Sequence, residues 1–511
     1  MRYLTSTFLF LIYSILAAQS APSIEWQKAL GGTHGESANA VQQTSDGGYI
    51  VAGHSMSNDG DVTGNHGGGD YWIVKLNPAG GIQWQKTLGG SNVDDAQSIR
   101  QTTDGGYIIA GSSNSGDGDI SGNHGNYDYW IVKLDSNGNM QWQKSLGGSS
   151  VDMAQSIQQT SEGGYIVAGS SSSNDGDVSG NHGGGDYWIV KLDINGNIQW
   201  QKSLGGSSSE QVNSVQQTFD GGYIIAGTTV STDGDITVSY GNNDFWVVKL
   251  DSGGNMQWQK TLGNIGDNIG YYAQQTFDGG YIAVGTSFNP SNLESGLPDY
   301  WVIKLSNNGT IEWDKYFGGS FHDNAITIRQ TPEWDYIVAG WTASNNGQVT
   351  NHHGNLDYWI IKLDSSGNLK WEKTLGGPDF DYLTALELTA DNGYIVSGST
   401  GSTSGDVTGH HGMIDAWVVK LSPEQLGIPE NQQRHKPNLY PNPAKDFFYL
   451  DHLPRESTIS ITDMSGRKLF SQKYNEEKIK ISTSAFMEGL YMVQVKNREE
   501  IILTKKITIT R

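Results

Sequence analysis

A tryptophan returns at Trp26, Trp84, Trp142, Trp200, Trp258, Trp313 and Trp371, at intervals of 58, 58, 58, 58, 55 and 58 residues. A second keeps step with it at Trp72, Trp130, Trp188, Trp246, Trp301, Trp359 and Trp417, so seven units are counted twice. A period of this length constrains the fold more than any single motif. Each unit must be one supersecondary structure that buries its apolar face against its neighbours in the array.

Within the third unit, SIQQT is followed by the turn SEGG, then YIVAG, a long loop, DYWIVKL, the turn DINGN and IQWQKSL. This spacing predicts four strands. Asp-Gly-Gly and Asn-Gly turns join them because Gly and Asn tolerate the positive φ that hairpins need. YWIVKL is nearly apolar on both faces, as a strand between neighbouring sheets should be, and IQWQK alternates as an outer strand would. With 68 Gly, 16 Trp, 24 Tyr and only 17% charged residues, the composition suits short aromatic strands and Gly-rich turns.

An all-β, seven-bladed β-propeller of four-stranded blades is therefore expected over residues 21–421. The first unit opens with an outer strand, Ile24 to Leu30, and the last stops after a third strand, Asp415 to Leu421, so each lacks what the other supplies. The N-terminal strand is predicted to complete the last blade and leave no unpaired edge. An open solenoid would need dedicated caps, and none is visible.

Arg2, an apolar run from Phe8 to Ala18 and the small-residue stretch Ala18-Gln19-Ser20 have the order of a secretory signal peptide over residues 1–20. The run is too short for a bilayer of ~30 Å, and no other segment is apolar enough to span one. The chain has no cysteine, which excludes disulfides, thiol chemistry and a lipoprotein anchor. Its net charge is −22, with the acidic excess inside residues 1–421 and a slightly basic C-terminal stretch. A body this acidic is repelled by nucleic acid and by anionic membranes.

After Leu421 the period stops. Residues 422–437 form a polar linker, and 438–511 show short alternating strands, enough for a small C-terminal β-sandwich. Tyr440-Pro441-Asn442-Pro443, Asp463-Met464-Ser465-Gly466-Arg467, Gly489-Leu490-Tyr491 and a last strand with Lys505 and Lys506 stand in order there. This stretch resembles the type A C-terminal sorting domain of the type IX secretion system of Bacteroidota. The resemblance implies passage across the inner and outer membranes, handling by the type IX machinery, removal of the module near the linker, and release or attachment at the cell surface.

In a meander the long loops and the links between units share one face, and loops on a rigid scaffold are where binding resides. Five positions after the first glycine, the links carry Glu36, Asp94, Asp152, Glu210, Asp323 and Asp381, with Asn268 in the fifth unit. These acids are expected as a ring at the mouth of the channel, where a cation or raised pKa values would relieve repulsion. The alternative is a repeated turn device in which each accepts from its own link's amides. The long loops hold Asp59 and Asp61, Asp117 and Asp119, Asp175 and Asp177, and Asp233 and Asp235, each pair about a glycine. Oxygen ligands so spaced suit calcium, the one cofactor the sequence suggests. His66, His124, His182, His352, His353, His410 and His411 are isolated or paired only with a neighbour, a spacing that favours exposed turn residues over a transition-metal site.

Asp70, Asp128, Asp186, Asp244, Asp299, Asp357 and Asp415 recur in all seven units, which suits a strand-start acceptor better than a catalytic group. Units five and six break the symmetry with Tyr271, Tyr272, Phe288, Phe321, His322, Trp334 and Trp341; Tyr271, Tyr272, Phe321 and Trp341 are the expected ligand aromatics. No nucleophile elbow, zinc-protease helix or phosphate loop is present, and no pair of acids stands apart from the repeats. The expected function is binding or adhesion to an extracellular glycan or protein at the cell surface or outside the cell. A polysaccharide hydrolase or lyase is the alternative, on analogy of fold alone.

Overall fold

The computed structural model describes residues 20–290, 297–424, 437–464, 466–497 and 500–510. The expected signal peptide, except for Ser20, and most of the linker lie outside these residues. Every regular element described is a strand, and among the described residues no helix is long and apolar enough to cross a membrane.

Residues 24–421 form seven antiparallel sheets of four strands each. The first sheet orders Glu36–Gln43, Tyr49–Ser55, Asp70–Leu76 and Ile82–Leu88 in sequence, and the next five repeat it. In the seventh, Asp381–Leu388, Tyr394–Thr400 and Asp415–Leu421 are joined by Ile24–Leu30, which pairs from Ile24 opposite Leu421 to Leu30 opposite Ala416. Val41, Tyr49 and Trp72 of the first sheet share one core with Leu30, Ile395, Ala416 and Val418 of the seventh. Thr384 donates to the Ala38 carbonyl across the same joint at 2.7 Å.

The third strand of each unit is buried on both faces, as its apolar run predicts, and Asp70–Leu76 has no exposed residue. The outer strand Ile82–Leu88 runs from exposed to buried along its length. Packing explains why the marker tryptophans recur. Trp84 meets Tyr107 of the next unit edge-on at 5.9 Å, and its ring lies 3.0 Å from where a Cβ on Gly138 would be, a glycine with φ of 80°. Tyr71 donates from its hydroxyl to the Trp130 carbonyl one unit on, at 2.8 Å. Phe245 and Ala416 stand at the matching place in units four and seven and have no hydroxyl to offer.

One charge in these strands is not visible as structure in the sequence. Lys75 is buried, and its ammonium reaches the Asp46 carboxylate of the tight turn at 2.9 Å and the Leu76 carbonyl at 3.1 Å. The equivalent lysines of all seven units are buried with an acid of their tight turn in reach. Burial alone would raise the Asp46 carboxyl; hydrogen bonds from Thr44, Lys75 and Gly48, with the Lys75 charge, hold it at about 2.

At the C-terminus, a three-stranded sheet (Asn438–Tyr440, Phe447–Asp451, Ile479–Ser482) accompanies a four-stranded one ordered Lys468–Tyr474, Ser457–Asp463, Gly489–Asn497, Glu500–Ile509. Leu439, Phe448 and Ile481 of the first sheet and Ile461, Val493 and Ile507 of the second lie in one core.

Candidate functional site

The six link carboxylates do not stand free at a channel mouth. Glu36, Asp94, Asp152, Glu210, Asp323 and Asp381 are all buried, and each accepts a hydrogen bond from the second glycine amide of its own link at 2.8 to 2.9 Å. Hydroxyls at the end of the second strand complete the set: Ser113 and Ser115 donate to Asp94, and Ser344 and Thr342 to Asp323. These bonds are those of the turn-device alternative, in which each acid accepts from an amide four residues earlier in its own link.

A second carboxylate lies opposite each. Asp70 Oδ1 and Asp94 Oδ2 stand 2.6 and 2.7 Å from the position a Cβ on Gly89 would occupy, so only glycine fits between them. Asp70 Oδ2 accepts from the His66 backbone amide at 2.9 Å and meets His66 Nδ1 at 2.6 Å, while its Oδ1 is buried without a partner. His124, His182, His353 and His411 repeat this contact with the strand-start aspartate of their units, so they are partnered turn residues. Burial, with the neighbouring carboxylate adding to it, pushes Asp94 above the usual range and Asp323 up to about 7.

The Asp-Gly-Asp loops are clamps between loop and link. Asp59 accepts from the Thr33 amide at 2.8 Å and hydroxyl at 2.9 Å, and Asp61 from the Gly31 amide at 3.3 Å. Asp117, Asp175 and Asp233 take the amides of Ser91, Ser149 and Ser207, each at 2.7 Å. Asp119, Asp177 and Asp235 take those of Gly89, Gly147 and Gly205. Among the described residues no group of three or more His, Asp or Glu is placed to hold a metal ion. The oxygens of these loops that the sequence reading offered to calcium accept from link amides in the structure.

The four expected aromatics do not converge. Tyr271 and Tyr272 line a cavity of about 230 Å³ bounded by the first strands of all seven sheets. Phe321 lies in the sixth link, 48% exposed. Trp341 meets Tyr382 edge-on at 5.8 Å, and Tyr382 lies parallel to Phe380 at 6.1 Å and 8°. Phe380 and Tyr382 are 49% and 40% exposed and belong to the link and first strand of unit seven. Trp334 sits in a tight turn with φ of 70°, edge-on to Phe277, and so belongs to the other end of the sheets.

The cavity holds charges that belong to no local sequence motif. Arg100, Arg329 and Glu387 occupy the position that is Gln42, Gln158, Gln216 and Gln274 in the other units. Arg329 donates from Nε and Nη2 to Glu387 at 3.1 and 2.9 Å, and Arg100 from Nη1 to the same carboxylate at 2.8 Å. The Arg329 guanidinium also lies 4.4 Å from the centre of the Tyr272 ring. Burial would raise the Glu387 carboxyl, but the charges of Arg329 and Arg100 outweigh it and hold it below its ordinary range. Alignment of the repeats would have revealed all three, and Phe380 and Tyr382 as well, as departures from their units' consensus.

Residues 438–510 match the family described as Secretion system C-terminal sorting domain, and this segment is a type IX secretion C-terminal sorting domain. It points to export to the cell surface or the extracellular space. Over 381 residues the chain is 23% identical to the regulatory protein FlaEY of Caulobacter vibrioides, covering 65% of this chain and 39% of that relative's length. Among solved structures, PorZ, a surface component of the type IX secretion system of Porphyromonas gingivalis, aligns over 95% of this chain and 61% of its own, at 12% identity and a TM-score of 0.38. The WD40 domain of Neurospora crassa Pan2 aligns over 78% and 96%, at 11% identity and a TM-score of 0.45. The extracellular domain of BT4673 from B. thetaiotaomicron aligns over 93% and 57%, at 12% identity and 0.40. Likenesses this distant identify no ligand.

Proposed function

We propose that this chain is an exported binding protein: a signal peptide over 1–20, a seven-bladed β-propeller over 21–421 closed by Ile24–Leu30, a linker over 422–437, and a sorting domain from 438 that is removed after export. Closure is supported by the pairing of Ile24–Leu30 with Asp415–Leu421 and by the core shared between the first and seventh sheets. In this reading the scaffold presents an extracellular glycan or protein site on the face carrying the links and long loops.

One observation carries the ligand class. Phe380 and Tyr382 lie parallel and exposed on the link side of unit seven, with Trp341 as a wall, whereas Gly35, Val93, Val151 and Ser209 precede the link acid in units one to four. Exposed aromatic faces suit the apolar face of a sugar ring. The test is retention of the exported chain on an array of bacterial and host glycans, beside the double variant F380A/Y382A. We expect at least one glycan to be retained by the parent and retention to fall ten-fold or more in the variant. Equal retention by both, or none by the parent, sinks the glycan reading.

A further inference from the structure

The cavity bounded by the seven first strands is distinct from the aromatic rim, and its chemistry is different. Its lining includes amides and hydroxyls, among them Gln97, Gln155, Asn213 and Ser156, together with Tyr272 and Arg329. Arg100 also lines it.

At the position Arg100 occupies, the common residue does structural work. Gln42 accepts from the Gln101 amide of the next unit at 2.7 Å, and Gln158 does the same for Gln217. Arg100 has given up that staple. It donates only Nη1, to Glu387, and among the described residues its Nε and Nη2 have no partner, although its side chain is only 23% exposed. Arg329 is different: Nε and Nη2 hold Glu387, and Nη1 holds the Thr327 hydroxyl and the Ile328 carbonyl. Glu387 neutralises one of the two arginines, so this layer keeps one positive charge inside a chain whose net charge is −22.

A half-buried guanidinium with open donors recognises a planar anion with two acceptor oxygens, and carboxylate is the matching group. The amides and hydroxyls around it suit sugar hydroxyls. A volume of about 230 Å³ is enough for a single sugar ring. The acidic exterior would also repel a polyanionic chain. We propose that the cavity binds one carboxylate-bearing pyranose, a hexuronate, with its carboxylate on the free edge of Arg100.

The test is titration of the exported chain with D-glucuronate, with D-glucose and acetate as controls, followed by isothermal calorimetry. The variants are R100Q, which restores the residue found in four sister units, and F380A/Y382A. We expect glucuronate to bind in preference to both controls, R100Q to weaken it ten-fold or more while melting within a degree or two of the parent, and F380A/Y382A to leave it unchanged. Absence of glucuronate binding, equal binding of glucose or acetate, or parental affinity in a folded R100Q overturns the proposal. A loss of glycan retention confined to F380A/Y382A tests the rim alone, so the two readings fail separately.

Discussion

Replacing Asp323 by Asn should flatten the pH dependence of stability. Asp323 is buried, accepts from the Gly319 amide and the Ser344 hydroxyl at 2.9 Å each, and faces Asp299 Oδ1 across Gly318. Burial first, and Asp299 after it, push its carboxyl from 3.8 up to about 7. A raised folded value means the folded state keeps a proton that the unfolded chain releases near 3.8. The resulting stability is complete below that value and is lost as pH rises toward 7. Each pH unit in the window is worth about 1.4 kcal/mol, so the parent should lose about 3 kcal/mol from this group between pH 5 and 8. In D323N that loss is removed. The change copies the chain's own fifth unit, where Asn268 stands at this position and faces Asp244 across Gly263. Urea unfolding followed by tryptophan fluorescence at pH 5, 6, 7 and 8 reads the difference. Parallel parent and D323N profiles across that range would refute the shared-burial argument.

Two further outcomes follow from the repeat itself. Glu162, which holds the buried Lys191 at 2.8 Å, has a carboxyl lowered from 4.5 to about 2: burial alone would raise it, but the hydrogen bond and charge of Lys191 prevail. Its contribution is present above pH 4.5 and lost as pH falls toward 2, so E162Q should be weaker than the parent in urea at pH 6 and indistinguishable from it at pH 2. Gly138→Ala places a Cβ 3.0 Å from the Trp84 ring at φ of 80°. We expect a loss of about 1–2 kcal/mol from the left-handed conformation alone, read as a lower urea midpoint; an unchanged midpoint would refute the need for glycine at this turn.

What the sequence determined by itself was local and periodic. The 58-residue spacing, the Gly turns and the apolar run before each Lys-Leu pair predict the observed strands, because strand alternation and turn chemistry act within a few residues. The incomplete first and last units likewise imply the pairing of Ile24–Leu30 with Asp415–Leu421. The sorting domain was readable from the order of its motifs.

Side-chain destinations were decided by tertiary structure, because the partners are supplied from far along the chain. Asp59 shows in the sequence only its spacing from Asp61, and the structure brings the Thr33 amide, 26 residues earlier, against it. Glu387 is joined in one cavity by Arg100, 287 residues away, and by Arg329, and nothing local in its strand announces either partner. Lys75 looks like a polar break in an apolar strand until Asp46 meets it inside the unit. Periodicity fixes which face a residue occupies, but whether its charge meets water, a carboxylate or an open cavity depends on what the neighbouring sheets place opposite it.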